Sequence, residues 1–155
     1  MQYYMHMRPN LAHEEQFISR LKATGERITS PRLALFRTFR QYSPLAIRKL
    51  TSIAKSNGID PVTVYRTIAL FKRLNLVQEI GVGNRRLLEL TDDFGQHHHH
   101  FWCTSCGKIL DFDDESLEKT MHQAADSLGI SIESHQLEIT GLCKDCLAKN
   151  TAASH

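Results

Sequence analysis

The sequence predicts an α+β chain, with an N-terminal winged helix-turn-helix half followed by a small α/β half stapled by a four-cysteine zinc site. Three observations predict it. All four cysteines fall in two CxxC pairs, Cys103/Cys106 and Cys143/Cys146. Charge divides sharply: residues 1–86 carry 15 Lys+Arg against 5 Asp+Glu, whereas 87–155 carry 4 against 12. Apolar residues recur at helical spacing as far as residue 74, and short strand-like stretches follow. The expected boundaries are 1–90 for the winged helix, 91–96 for a hinge and 97–155 for the metal-binding half.

The first half reads as four helices. Leu11 to Thr24 carries Leu11, Phe17, Ile18 and Leu21 on one face, and Gly25 ends it. Ser30 is a good N-cap and Pro31 a good first-turn residue for a second helix ending near Tyr42. Ser43-Pro44 breaks the chain before a third helix from Ala46 to Ser56, which Asn57-Gly58 stops. Asp60-Pro61 then opens a fourth helix running to about Leu74. Helix, short glycine turn, helix is the arrangement whose second helix enters the DNA major groove. Val62–Thr67 supplies polar groups at the end of that helix where bases are read. Leu76–Ile80, a Gly-Val-Gly-Asn turn and Arg85–Leu90 read as a hairpin, the wing. Its Arg85 and Arg86 suit phosphates. A basic half of this order points to a polyanion, double-stranded DNA.

The second half begins with four consecutive histidines, His97–His100. On a strand over 97–102, His97 and His99 face one way and His98 and His100 the other, so one strand can feed two metal sites. Imidazole suits several divalent metals, and ligand type alone does not name one. Strands at 108–112 and 130–140, with a helix from Glu115 to Leu128 between them, complete an α+β piece. Two residues between cysteines let each pair aim both thiolates at one ion, and two pairs complete an S₄ zinc site. Such a short domain is marginal alone, so a zinc staple and a partner copy both help it.

At 155 residues the chain has room for one domain or two small ones. Its apolar runs are too short to span a membrane, and its first residues lack a signal-peptide pattern. Cysteines arranged for metal suit the cytoplasm. An enzyme would need an open metal position beside a general base, and no catalytic motif surrounds the histidines. A metal-storage protein would explain the histidines but leave the basic half without a purpose.

These motifs together resemble the ferric uptake regulator (Fur) family over roughly residues 12–148. The residues carrying the resemblance are Thr29-Ser30-Pro31-Arg32, Thr63-Val64-Tyr65-Arg66, Glu89-Leu90, His97–Cys106 with Gly107-Lys108, and His135 before the last CxxC. The resemblance implies a homodimeric, metal-dependent transcription factor, usually a repressor, acting on an AT-rich inverted-repeat operator. It implies structural Zn²⁺ at Cys103, Cys106, Cys143 and Cys146, and a regulatory divalent metal (Fe²⁺, Mn²⁺ or Zn²⁺) at Glu89, His98, His100 and Asp111. It implies an additional metal at His97, His99, Glu118 and His135, where relatives often have aspartate at the position of His99. DNA contacts are implied at Arg32, Thr63, Tyr65 and Arg66. One departure stands out. Iron- and peroxide-sensing relatives usually donate a histidine just after the second helix, and Tyr42–Ala46 contains none. His6 or His13 is a candidate substitute, and a metal-independent regulator of the same family is the alternative reading.

Overall fold

A computed structural model describes residues 11–83, 85–95 and 97–152. These form two compact units, one of 11–80 with 86–95 and the other of 81–83, 85 and 97–152. Residues 1–10, and with them His6, lie outside the described residues.

In the first unit, α1 (Leu11–Ala23), α2 (Ser30–Tyr42), α3 (Ile47–Ser56) and α4 (Pro61–Arg73) precede strands β1 (Val77–Val82) and β2 (Arg85–Leu90). The helical apolar spacing becomes one core. Phe17, Leu21, Phe36, Phe39, Leu50, Val64, Phe71 and Leu76 are all fully buried. Phe17 stacks on Phe36 at 4.2 Å between centroids and meets Phe71 edge-on at 5.3 Å. Such aromatic geometry adds modestly to the burial itself. Phe94, in the short 3₁₀ turn after β2, packs edge-on against Phe36 at 5.3 Å. The segment after α2 is tied to β2 by paired backbone hydrogen bonds of 2.8 Å between Leu45 and Leu88.

Local chemistry accounts for the helix ends. Gly58, at φ +75°, turns the chain between α3 and α4 in the left-handed region that glycine enters without steric cost. The Asp60 carboxylate caps α4 by accepting from Thr63 N at 2.9 Å. The start of α2 differs from expectation. Thr29, not Ser30, is its N-cap, and no side chain caps it, so Ser30 is already helical and Pro31 occupies the first turn.

In the second unit, β3 (His99–Cys103) is the centre of a three-stranded sheet ordered β4-β3-β5. Strand β4 (Ile109–Phe112) runs antiparallel to it, with His100 opposite Asp111, and β5 (Glu138–Gly141) runs parallel, with Cys103 opposite Gly141. Between them lies α5 (Glu115–Leu128), capped by Asp114 and ended by Gly129 at φ +69°. Helix α6 (Lys144–Ala152) follows, an element the apolar spacing did not predict. The strand expected over 130–140 shrinks to β5, and 130–137 is irregular. The reason is partnership: β5 pairs only with His100–Cys103, so residues before Glu138 have no strand to bond. Strand β3 likewise starts at His99 rather than His97.

Candidate metal centres and nucleic-acid interface

The two CxxC pairs come together. Cys103 ends β3, and a tight turn follows in which Gly107 N donates to Cys103 O at 2.9 Å. Cys143 precedes α6, and Cys146 lies in its first turn. The thiolate-bearing atoms all lie within 4.8 Å of one another, and Cys106 Sγ is 3.7 Å from Cys143 Sγ. A disulfide would need about 2.05 Å. A tetrahedral zinc with sulfur ligands at about 2.3 Å sets edges of roughly 3.8 Å, so the cluster fits zinc. Backbone N–H groups of Cys106 and Cys143 pull the Cys103 thiol down to about 6. At Cys146 the Ser105 hydroxyl favours the thiolate, but the neighbouring thiols Cys143 and Cys106 outweigh it and push the group up to about 12. Cys146 therefore ionises near neutrality only with a cation among the sulfurs.

The second cluster gathers His97, His99, Glu118 and His135. Glu118 Oε1 lies 2.6 Å from His99 Nε2, 3.2 Å from His135 Nε2 and 3.4 Å from His97 Nε2. His97 and His135 bring their Nε2 atoms within 3.1 Å of each other. The His99 hydrogen bond, then the charges of His135 and His97, hold the Glu118 carboxyl below the usual range. Three imidazole nitrogens and one carboxylate oxygen thus converge from β3 and the residues just before it, α5 and the irregular segment before β5.

The alternate pair, His98 just before β3 and His100 on it, stands with ring centroids 4.8 Å apart. His100 Nδ1 lies 3.0 Å from Asp111 Oδ1, its partner across the β3–β4 ladder. Glu89 belongs to the first unit, where it is 4% exposed on β2 and its Oε1 accepts from Gln78 Nε2 at 2.8 Å. His13, on α1, has a buried Nδ1 without a hydrogen-bond partner, and burial and then nearby Arg40 hold its pKa below the ordinary histidine value. His122 is exposed on α5.

In the first unit, Tyr65 and Val62 protrude from the start of α4, 52% and 57% exposed. Thr29, Arg32, Thr63, Arg66 and Thr67 line one open cleft between the starts of α2 and α4. Two of the residues expected at DNA have intramolecular partners. Thr63 Oγ1 donates to Asp60 Oδ2 at 2.5 Å. Arg32 donates to the Arg27 carbonyl and pairs with Glu26 at 3.1 Å. Glu26 uses its other oxygen on Arg73, at 2.6 Å. Sequence reading missed Glu26; its rarity as an acidic residue in a basic half was the available signal.

A family model described as the Ferric uptake regulator family matches residues 23–140. The chain belongs to the ferric uptake regulator family. Among curated relatives, the ferric uptake regulation protein of Bordetella parapertussis is 32% identical over 137 residues, covering 83% of this chain and 94% of that protein. The peroxide operon regulator of Bacillus subtilis is 33% identical over 146 residues, covering 89% and 97%. Among solved structures, the Helicobacter pylori ferric uptake regulator, described as having three functional metal binding sites, superposes with a TM-score of 0.75. Identity there is 20%, with 93% of this chain and 97% of that chain covered, which establishes the shared fold. As in other members of the Fur family, a helical N-terminal region precedes a small sheet domain.

Proposed function

We propose that this Fur-family chain is a metal-responsive DNA-binding transcriptional regulator, acting as a homodimeric repressor of metal-homeostasis or oxidative-stress genes. The observation that carries the reading is the use of one short stretch, the start of β3 and the two residues before it: His97 and His99 meet Glu118 and His135, while His98 and His100 form a separate group, with His100 beside Asp111. Two donor clusters beside a four-cysteine site serve metal responsiveness, and a basic winged helix serves DNA.

In this reading Cys103, Cys106, Cys143 and Cys146 hold structural zinc and make the sheet domain foldable. Glu89, His98, His100 and Asp111 hold the regulatory metal. When bound, a divalent cation supplies the charge that lets carboxylate and imidazoles share one site. Glu89 lies on the wing strand β2, so engaging it favours one arrangement of the DNA-binding half over others. Coupling then equals the preference of these ligands for that arrangement. Tyr65 and Arg66 read the major groove from α4, while Arg32 and Thr63 position the phosphate backbone of an AT-rich inverted repeat. No described helix is long and apolar enough to cross a membrane. Cysteines serving zinc suit the reducing cytoplasm.

One observation favours a second reading. Tyr42–Ala46 contains no histidine, so a metal-independent Fur-type DNA-binding regulator is the alternative. Fluorescence anisotropy on an inverted repeat from the gene's own upstream region separates the two. Protein retaining its cysteine zinc is stripped at the histidines and titrated with Mn²⁺, anaerobic Fe²⁺ and Zn²⁺. The first reading expects one metal to tighten binding about tenfold or more, about 1.4 kcal/mol of coupling, and His98→Ala to abolish the gain. Equal binding with and without metal supports the second.

A further inference from the structure

Residues 1–86 hold few acidic side chains, and one of them, Glu26, stands among the cations expected at DNA. The end of α1 sets its place. Gly25, at φ +73°, turns the chain; Gly25 N donates to Lys22 O at 3.0 Å and Glu26 N to Leu21 O at 2.9 Å, the paired bonds of a glycine-ended helix. Leu21 is fully buried, so the backbone of Glu26 is fastened to the core. From there one carboxylate oxygen meets Arg32, in the first turn of α2, at 3.1 Å. The other meets Arg73, in the last turn of α4, at 2.6 Å, so the carboxylate is itself held in place. Arg32 also donates to the Arg27 carbonyl. Its guanidinium is thus gripped from two sides, at the wall of the cleft it shares with Thr29, Thr63, Arg66 and Thr67. A guanidinium carries several N–H donors in a fixed fork, so these bonds orient it and leave others for a phosphate.

A carboxylate beside a DNA-binding cleft opposes the phosphate charge, so its contribution to binding is geometric. Non-specific attraction counts charges and tolerates any arginine rotamer, whereas a specific complex needs its phosphate contacts in one register. Resting on the reading that Arg32 meets a DNA phosphate, we propose that Glu26 is a positioning residue for operator recognition. It presets the Arg32 guanidinium at the cleft before DNA arrives. It lowers bulk attraction to DNA and raises discrimination between operator and other sequences.

The test compares an inverted-repeat duplex from the gene's own upstream region with a random duplex by fluorescence anisotropy. It uses full-length protein with zinc kept at the cysteines and saturating Mn²⁺. Glu26→Gln keeps the size of the side chain and removes its charge. We expect operator affinity relative to random DNA to fall by about tenfold, while random DNA is bound as tightly as before or tighter. Arg32→Ala should weaken operator binding and reduce its salt dependence by about one phosphate contact. On that background Glu26→Gln should change the ratio by less than about twofold, because the group it positions is gone. Both duplexes bound more tightly at an unchanged ratio would show only a charge that opposes DNA. Both bound more weakly in proportion, with an earlier thermal transition, would show a contact that serves only the fold. Either result overturns the proposal, and so does a Glu26→Gln effect undiminished on the Arg32→Ala background. Normal operator affinity in Arg32→Ala removes the DNA contact itself. A normal ratio in Glu26→Gln beside a weakened Arg32→Ala removes only the role of Glu26.

Discussion

The two units hold themselves together by different means. The hydrophobic core cluster lies wholly in the first, with Phe17, Phe36, Phe39 and Phe71 at its centre. In the second, the buried apolar residues among those described are Cys103, Ala125 and Cys143. Several of its apolar side chains face outward: Leu128 is 73% exposed, Ile130 58%, Leu147 54% and Ile139 42%. The first unit is stabilised by removing apolar surface from water. The second has donor clusters where a core would be, and leaves these apolar side chains on its surface. Where a domain is too small to bury enough surface, ligand fields and association substitute for packing.

The sharpest way to break this comparison is Cys106→Ser. Structural zinc contributes on the order of 10–16 kcal/mol in small zinc domains, so loss of one thiolate should unfold the second unit. Limited proteolysis should then cut within 97–152 while 11–80 stays resistant; an intact second unit would show that its packing suffices. Phe36→Ala should act in reverse. Deleting a fully buried ring costs about 3–5 kcal/mol. The first unit should melt earlier in a thermal scan, with zinc content by elemental analysis unchanged.

Tyr65→Ala sharpens the division of labour rather than the stability. An exposed residue lost from the start of α4 should weaken operator binding by about 1–3 kcal/mol, with metal affinity kept. Normal operator affinity in that variant would remove α4 from the role of recognition helix. The smallest effect is expected at Asp60. Its hydrogen bonds from the Thr63 hydroxyl and backbone hold its carboxyl below the ordinary 3.8. A depressed folded-state pKa contributes stability that is present above the unfolded value and is lost as pH falls through the folded one. Asp60→Asn should lower the melting temperature slightly at neutral pH, and the gap should close in acid. A gap independent of pH would mean that the cap acts through hydrogen bonding alone.

Much of the fold was legible because short-range rules produced it. The four helices follow apolar spacing and the Gly58 and Asp60-Pro61 signals. The separation of the histidines onto two faces follows from period-two alternation. Helix α6 was not legible: Lys144–Ala152 has only a weak apolar face, and its start is set by the cysteine cluster it carries. The irregular 130–137 segment also escaped, because its residues alternate well enough for a strand and only the length of β3 denies them a partner. The engagement of Arg32 with Glu26, and of Glu26 with Arg73, joins residues up to 47 positions apart, which no local pattern encodes.

The sequence by itself determined the donor types, their spacing in CxxC pairs and a histidine run, the division of charge and the order of the helices. These depend on neighbours within a few residues of one another, where backbone geometry is nearly fixed. Only the tertiary structure decided which donors meet: Glu118 and His135 reach His97 and His99 because α5 and the chain before β5 fold back on β3. That return rests on the parallel pairing of β5 with β3 and on the cysteine cluster that joins Cys103 and Cys106 to Cys143 and Cys146, both made between residues far apart in the chain.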